Sequence, residues 1–115
     1  MIQLTLPYPP SVNSMYRAYR GRVVLSERGR AYKEEVAGLC AAAGLTEPLT
    51  GNVEMELWVY RPRMIGDLDN ICKAILDAVE GWIYQNDKQV RRLMICRFES
   101  KLNPRVELKA WVISL

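Results

Sequence analysis

The sequence predicts an α+β domain, two helices packed on a mixed or antiparallel β-sheet, and three observations lead to it. Two stretches alternate apolar and polar residues, "IQLTL" near the start and "NVEMELWVY" in the middle, as half-buried strands do. Two others repeat apolar residues at helical spacing. Further strand-like runs follow near residues 90–98 and over Arg105–Ile113. The resulting order is β-β-β-α-β-α-β-β. With 115 residues, 50% of them hydrophobic, the chain holds enough material for a single domain over residues 1–115 with one core.

Each element has its own signature. Ile2, Leu4 and Leu6 alternate with Gln3 and Thr5, and Pro7, Pro9 and Pro10 end that strand. "YRAYRGRVVLS" reads as a hairpin turning near Gly21. Ser26 is a suitable N-cap for a helix of about four turns. Tyr32, Val36, Leu39, Cys40 and Ala43 would form its apolar face, with Gly44 as its stop. In the central strand Val53, Met55, Leu57 and Val59 share one face, and Glu54, Glu56, Trp58 and Tyr60 the other. A short loop, "RPRMIG", leads into the second helix, whose stripe is Leu68, Ile71, Cys72, Ile75, Leu76 and Val79. Asn103-Pro104 is expected to turn a hairpin between the last two strands.

Composition narrows the chemistry. There is no histidine, so triads, Cys-His dyads and histidine metal ligands are excluded. Any catalysis must rest on carboxylates, lysine, tyrosine or a metal held by oxygen. Three cysteines, Cys40, Cys72 and Cys96, lack CxxC spacing, which argues against a zinc site or a disulfide framework. The chain shows no signal peptide and no membrane-spanning run, so a cytoplasmic location is expected. The net charge of +3 is mild. Its distribution is uneven: residues 1–60 balance at six positive and six negative, while residues 61–115 carry ten positive against seven negative.

The four aspartates, Asp67, Asp69, Asp77 and Asp87, all fall in that second half. Asp67 lies just before the helix and Asp69 in its first residues. Side chains two apart in an extended lead-in point the same way, so both carboxylates can face one spot. Lys73 follows Asp69 by one helical turn, and Asp69, Lys73, Asp77 and Glu80 all lie off the apolar stripe. A following strand can deliver Asp87. Carboxylates converging beside an ammonium group suit Mg²⁺ or Mn²⁺, which take oxygen ligands and keep several waters. The plain alternative is a helix start: aspartate is a preferred N-cap, an Asp69–Lys73 pair is an ordinary surface contact, and Asn86-Asp87 is turn chemistry. Spacing alone favours that alternative, because a bare DxD pattern is common.

The wider pattern shifts the balance. "DLDNICKAILDAV" followed by "NDKQV" resembles the RusA family of Holliday junction resolvases, small endodeoxyribonucleases of bacteria and their prophages. "LPYPPSVNSMYR" is similar to the family's proline-rich opening, and "GRVVLSERGRAYKEEV" to its hairpin and first helix, so the resemblance spans nearly the whole chain. It implies a RusA-like, homodimeric fold and a Mg²⁺-dependent enzyme, with Mn²⁺ as a substitute, that resolves four-way DNA junctions by paired symmetric cuts. It makes Asp67, Asp69 and Asp87 metal-binding and Lys73 catalytic, with Asp77 orienting that lysine. Two equal sites on a two-fold axis would match a two-fold junction. The chain departs from relatives that carry an arginine run before the first aspartate, where it has "RPRMIG", and "ND" stands where relatives can have two aspartates. Those departures bear on DNA affinity and cleavage sequence.

Among basic residues, Arg61, Arg63 and Lys88 flank the acidic groups and are candidates for phosphate contacts. Arg17, with Arg20 and Arg22, could reach a DNA arm from the hairpin. Each is also an ordinary solvated charge. Asn13 could hold the proline-rich segment beside the site or serve as a turn residue. Trp58, Trp82 and Trp111 are expected in the core or a dimer interface. Two other functions compete. A non-catalytic branched-DNA-binding dimer would keep the scaffold without the chemistry. A nucleotide phosphohydrolase would need a glycine-rich phosphate loop, and the sequence has none.

Overall fold

The computed structural model describes residues 1–64 and 66–115, so one position of the loop expected over residues 61–66 lies outside the described residues. The chain runs β1 (Ile2–Pro7), α1 (Val12–Met15), β2 (Tyr16–Tyr19), β3 (Arg22–Leu25), α2 (Glu27–Ala42), β4 (Asn52–Arg61), α3 (Leu68–Val79), a 3₁₀ turn (Asp87–Gln89), β5 (Val90–Glu99) and β6 (Arg105–Ile113). The α+β class is correct, but among the described residues three α-helices rather than two accompany the sheet. The extra one, α1, is a single turn that Ser11 caps by accepting from the Ser14 amide at 3.3 Å. Four residues are too few for a periodic signal, and the prolines beside them read as extended chain.

The main sheet has the order β1-β6-β4-β5. β6 lies antiparallel between β1 and β4, while β4 and β5 run parallel. The hairpin expected at Asn103-Pro104 is therefore not one. The connection from β5 to β6 passes over the end of β4, where the Ser100 amide donates to the Arg61 carbonyl at 2.6 Å. A parallel pair needs a crossover, and α3 supplies it between β4 and β5. β2 and β3 form a separate hairpin whose turn places Arg20 and Gly21 both at positive φ, 51° and 74°, as a two-residue hairpin loop requires.

α2 and α3 cover one face of the sheet. Leu4, Leu6, Val53, Met55, Leu57, Val59, Val106, Leu108 and Ala110 line that face and are buried. α3 buries Ile71, Ala74, Ile75, Ala78 and Val79 against them. α2 buries Gly29, Tyr32, Val36 and Cys40, so the expected stripe is narrower: Leu39 is 38% exposed and Ala43 lies beyond the helix body on the surface. Gly29 is needed where α1 meets α2, because a Cβ there would stand 2.3 Å from the Met15 carbonyl oxygen. The Tyr32 hydroxyl donates to the Pro7 carbonyl at 2.8 Å and fixes where the proline-rich segment leaves β1. Trp58 and Trp111 are half-buried on the uncovered sheet face, and Trp82 packs on the rim of the core. Among the described residues no helix is long and apolar enough to cross a membrane.

Candidate functional site

The N-terminal end of α3 is where sequence and structure meet. Its N-cap is Asp67, with the extended backbone (φ −93°, ψ 134°) that a cap residue adopts. At the other helix starts, Ser11, Ser26 and Asn86 each accept a hydrogen bond from a backbone amide in the turn they cap. Asp67 accepts none, and its carboxylate is left exposed among the described residues. Asp69 follows in the first turn, also exposed. The ordinary explanation for Asp67, a cap, is thus not how its oxygens are used.

Asp67 lies on the wall of a cleft of about 340 Å³ between this helix start and the proline-rich segment, lined also by Tyr8, Asn13, Arg61, Arg63 and Asn70. Asn13 therefore stands beside the site. Arg61, at the end of β4, sets its guanidinium 5.8 Å from the centre of the Tyr8 ring. Its Nε and Nη1 are buried with no hydrogen-bond partner among the described residues. Arg63 is exposed on the same wall. Sequence reasoning missed Arg97, whose Nη1 donates to the Gly66 carbonyl at 2.9 Å and so ties the residue before Asp67 to β5. Nothing in the sequence marks a contact across 31 positions.

Lys73 and Asp77 form the middle of the site. Lys73 Nζ lies 3.4 Å from Asp77 Oδ2 and 5.4 Å from the centre of the Tyr16 ring. The Tyr16 hydroxyl donates to the same Asp77 oxygen. Burial, and then the Asp77 carboxylate, push the Tyr16 phenol well above its ordinary value, so it stays a donor. Asp77 thus touches Lys73, as expected of a residue that orients it. The ammonium leans toward Asp77 rather than back toward Asp69. Tyr16 was not singled out from the sequence, because it reads as one more hairpin aromatic.

Asp87 occupies the other end of the helix. It opens the 3₁₀ turn that Asn86 and Gln89 close as a capping box, and its amide donates to Glu80 Oε1 at 3.3 Å. Glu80 is the C-cap of α3, whereas Asp67 is the N-cap. A helix of twelve residues is about 18 Å long, so one chain holds Asp87 a helix length away from Asp67 and Asp69. Consistent with this, no three acidic or thiol groups come together to hold an ion among the described residues. Lys88 is exposed beside Asp87, at the far end from Arg61 and Arg63. Arg17 is exposed on the hairpin, 5.3 Å from the Tyr19 ring, and it does not line the cleft.

The donor set still suits a hard cation. Mg²⁺ is commonly held by one or two carboxylates and several waters. Asp67 and Asp69 offer two exposed carboxylates within one turn, with the partial positive charge of a helix N-terminus behind them. They fit such an ion as a pair. The full set of three does not form within one chain.

Known proteins resemble this chain over most of its length. Residues 7–110 match the family model described as "Endodeoxyribonuclease RusA". The chain is 36% identical over 107 residues to the crossover junction endodeoxyribonuclease RusA of Escherichia coli strain K12, covering 91% of this chain and 89% of that protein. It is 35% identical over 107 residues, with the same coverage, to the proteins of that name from Enterobacteria phage 82 and from Shigella sonnei.

Proposed function

The chain belongs to the RusA family of endodeoxyribonucleases, and from that premise we propose that it is a divalent-metal-dependent homodimeric nuclease that resolves four-way DNA junctions. The observation that carries the reading is the Asp67 carboxylate, placed at a helix N-cap but withheld from capping, beside Asp69 and a cleft lined by arginine. A binding module gains little from bare carboxylates turned toward phosphate.

Asp67 and Asp69 would hold the ion, Mg²⁺ or in its place Mn²⁺. When bound, such an ion supplies Lewis acidity to the scissile phosphodiester. Arg61 and Arg63 set the DNA backbone against the cleft wall, with Lys88 and Arg17 as outlying phosphate contacts. Lys73, held between Asp77 and the Tyr16 ring, donates to the oxygen on which charge develops as the phosphate bond breaks. Asp87 joins Asp67 and Asp69 only if a second copy brings it, which favours a dimer with two equal sites over a monomer. Paired sites also suit symmetric cuts in a two-fold junction.

The test is a labelled synthetic four-way junction beside a matched linear duplex, incubated with Mg²⁺ and then with EDTA. Paired nicks on the junction alone, lost in EDTA and lost in Asp69→Asn with junction binding retained, are the expected result. Wild-type rates from Asp69→Asn would overturn the site. Binding without nicks in either Mg²⁺ or Mn²⁺ would mean that the protein is a branched-DNA binder.

A further inference from the structure

Lys73 has a carboxylate one helical turn away on either side, and it takes the one that helix geometry favours less. Asp69 precedes it by four residues and Asp77 follows it by four. An acid four residues before a lysine pairs with it better than an acid four residues after, because that order agrees with the helix dipole. Among the described residues, however, Lys73 Nζ pairs with Asp77 Oδ2, at 3.4 Å, and not with Asp69. Burial does not hold the pair, since the lysine side chain is 58% and the aspartate side chain 39% exposed. An exposed pair of this kind is weak and does not fix a long side chain by itself. A group outside α3 must decide between the two carboxylates.

Tyr16 is that group. Its hydroxyl donates to the same Asp77 oxygen that Lys73 approaches, and the centre of its ring stands 5.4 Å from Lys73 Nζ. One side chain therefore holds the counterion and offers its ring face to the cation. Tyr16 is itself fixed from both sides. Its amide closes α1 by donating to the Val12 carbonyl, and it pairs with Leu25 across the β2–β3 hairpin. Its neighbour Met15 is buried, and its own ring packs against the core. Lys33 and Glu80 border the same small cavity of about 170 Å³, but among the described residues neither forms an ion pair with Asp77 or Lys73.

We propose that Tyr16 is a positioning residue: it draws Lys73 to the Asp77 side of α3 and so keeps the ammonium off Asp69. This role rests on the nuclease reading for what Lys73 and Asp69 do, and it adds the residue that keeps them apart. Asp69 cannot give the same oxygens to an ammonium group and to a divalent ion. A lysine drawn back to Asp69 would compete with the ion and leave the place from which it meets the phosphate. A hydroxyl on the hairpin thus keeps one carboxylate free and one ammonium in place.

Tyr16→Phe removes the hydroxyl and keeps the ring. The lysine is read first, with neither metal nor DNA, from the NMR signal of the Lys73 Cε methylene. In otherwise wild-type protein, Asp77→Asn is expected to shift that signal and Asp69→Asn to leave it in place. In Tyr16→Phe the order is expected to reverse, with Asp69→Asn now shifting the signal. The same order in both proteins would overturn the proposal. Mn²⁺ binding, followed by EPR of the free ion without DNA, is the second measurement. Tyr16→Phe is expected to weaken it about two-fold or more, the scale of one helical ion pair. In a Lys73→Met background, where no ammonium remains to compete, Tyr16→Phe is expected to change nothing. Equal weakening in both backgrounds would mean that Tyr16 only supports local structure, and the positioning role would fall. On the junction, kcat in Tyr16→Phe is expected to drop about ten-fold or more with KM unchanged, as misplacement of a reacting group does. A reversed lysine response in protein that neither binds Mn²⁺ nor cuts would keep the positioning and sink the nuclease reading. Normal Mn²⁺ binding and cutting with an unmoved lysine would keep the nuclease reading and sink the role of Tyr16.

Discussion

The two ends of α3 are built on opposite terms. At its C-terminal end the side chains of Tyr84 and Gln89 are bonded into the fold. The buried Tyr84 hydroxyl donates to the Leu76 carbonyl at 2.7 Å. Gln89 accepts from the Gln85 and Asn86 amides and donates to the Leu49 and Gly51 carbonyls. At the N-terminal end Asp67 caps nothing, Asp69 is exposed, and Arg61 keeps two buried nitrogens without partners among the described residues. Fully bonded groups hold a structure, and groups kept free are what a ligand can use. The N-terminal end therefore suits the proposed site, and the C-terminal end suits a mount for Asp87.

The largest expected effect separates the ends by function. Asp67→Asn keeps the side chain's size and removes its charge, so junction cutting should fall about 10²-fold or more, a typical loss for a group that stabilises charge in the transition state. Junction binding in EDTA should persist. Cutting within a few-fold of wild type would mean that the exposed carboxylate is idle.

At the mount the first effect is on stability. Gln89→Ala removes four hydrogen bonds to the backbone, partly exposed, and should cost about 2 kcal/mol in chemical denaturation. Cutting should fall too, because the turn carrying Asp87 loses its tie to Leu49 and Gly51. A variant as stable as wild type would show that the turn holds itself.

Tyr84→Phe is the next step down. It leaves the Leu76 carbonyl without its partner and should cost about 1 kcal/mol. The same residue sets a pH dependence. Burial, followed by the charges of Asp87, Glu80 and Asp77 among others, pushes the Tyr84 phenol well above its ordinary value of 10.0, and burial does the same to Tyr32. The unfolded chain loses these protons near pH 10 while the folded chain keeps them. Stability is therefore complete below about pH 10 and declines as pH rises past it. Denaturation midpoints measured from about pH 9 to about pH 11 should fall, and less steeply in Tyr84→Phe.

This contrast between the ends was only half legible in the sequence. Alternation placed Val53, Met55, Leu57 and Val59 on one face, and all four are buried. The apolar stripe placed α3, and with it Asp67 and Asp69 at its start. Alternation reports which face a side chain takes but not which strand lies beside it. It therefore hides the parallel β4–β5 pair and the insertion of β6 between β1 and β4, and it makes a proline turn look like a hairpin. The same gap hid the position of Asp87, since a strand that follows a helix can begin at either end of it. Arg97 and Tyr16 act across long sequence separations and leave no local signal.

The smallest expected effect tests the comparison most directly, because it is a predicted absence. Replacing a working N-cap by alanine costs about 1 kcal/mol, and Ser26, whose oxygen accepts from the Gly29 amide at 3.0 Å, should behave that way. Asp67 occupies the same position on its own helix and makes no such bond. Asp67→Ala should keep only the loss of a favourable charge near the helix dipole, roughly 0.3 kcal/mol when exposed. Removal of the nearby Asp69 repulsion offsets part of that. Urea denaturation of Ser26→Ala and Asp67→Ala should therefore diverge, with the first variant clearly weakened and the second close to wild type. Equal losses would show that Asp67 caps its helix in solution, and the carboxylate would then be no freer than the groups at the other end.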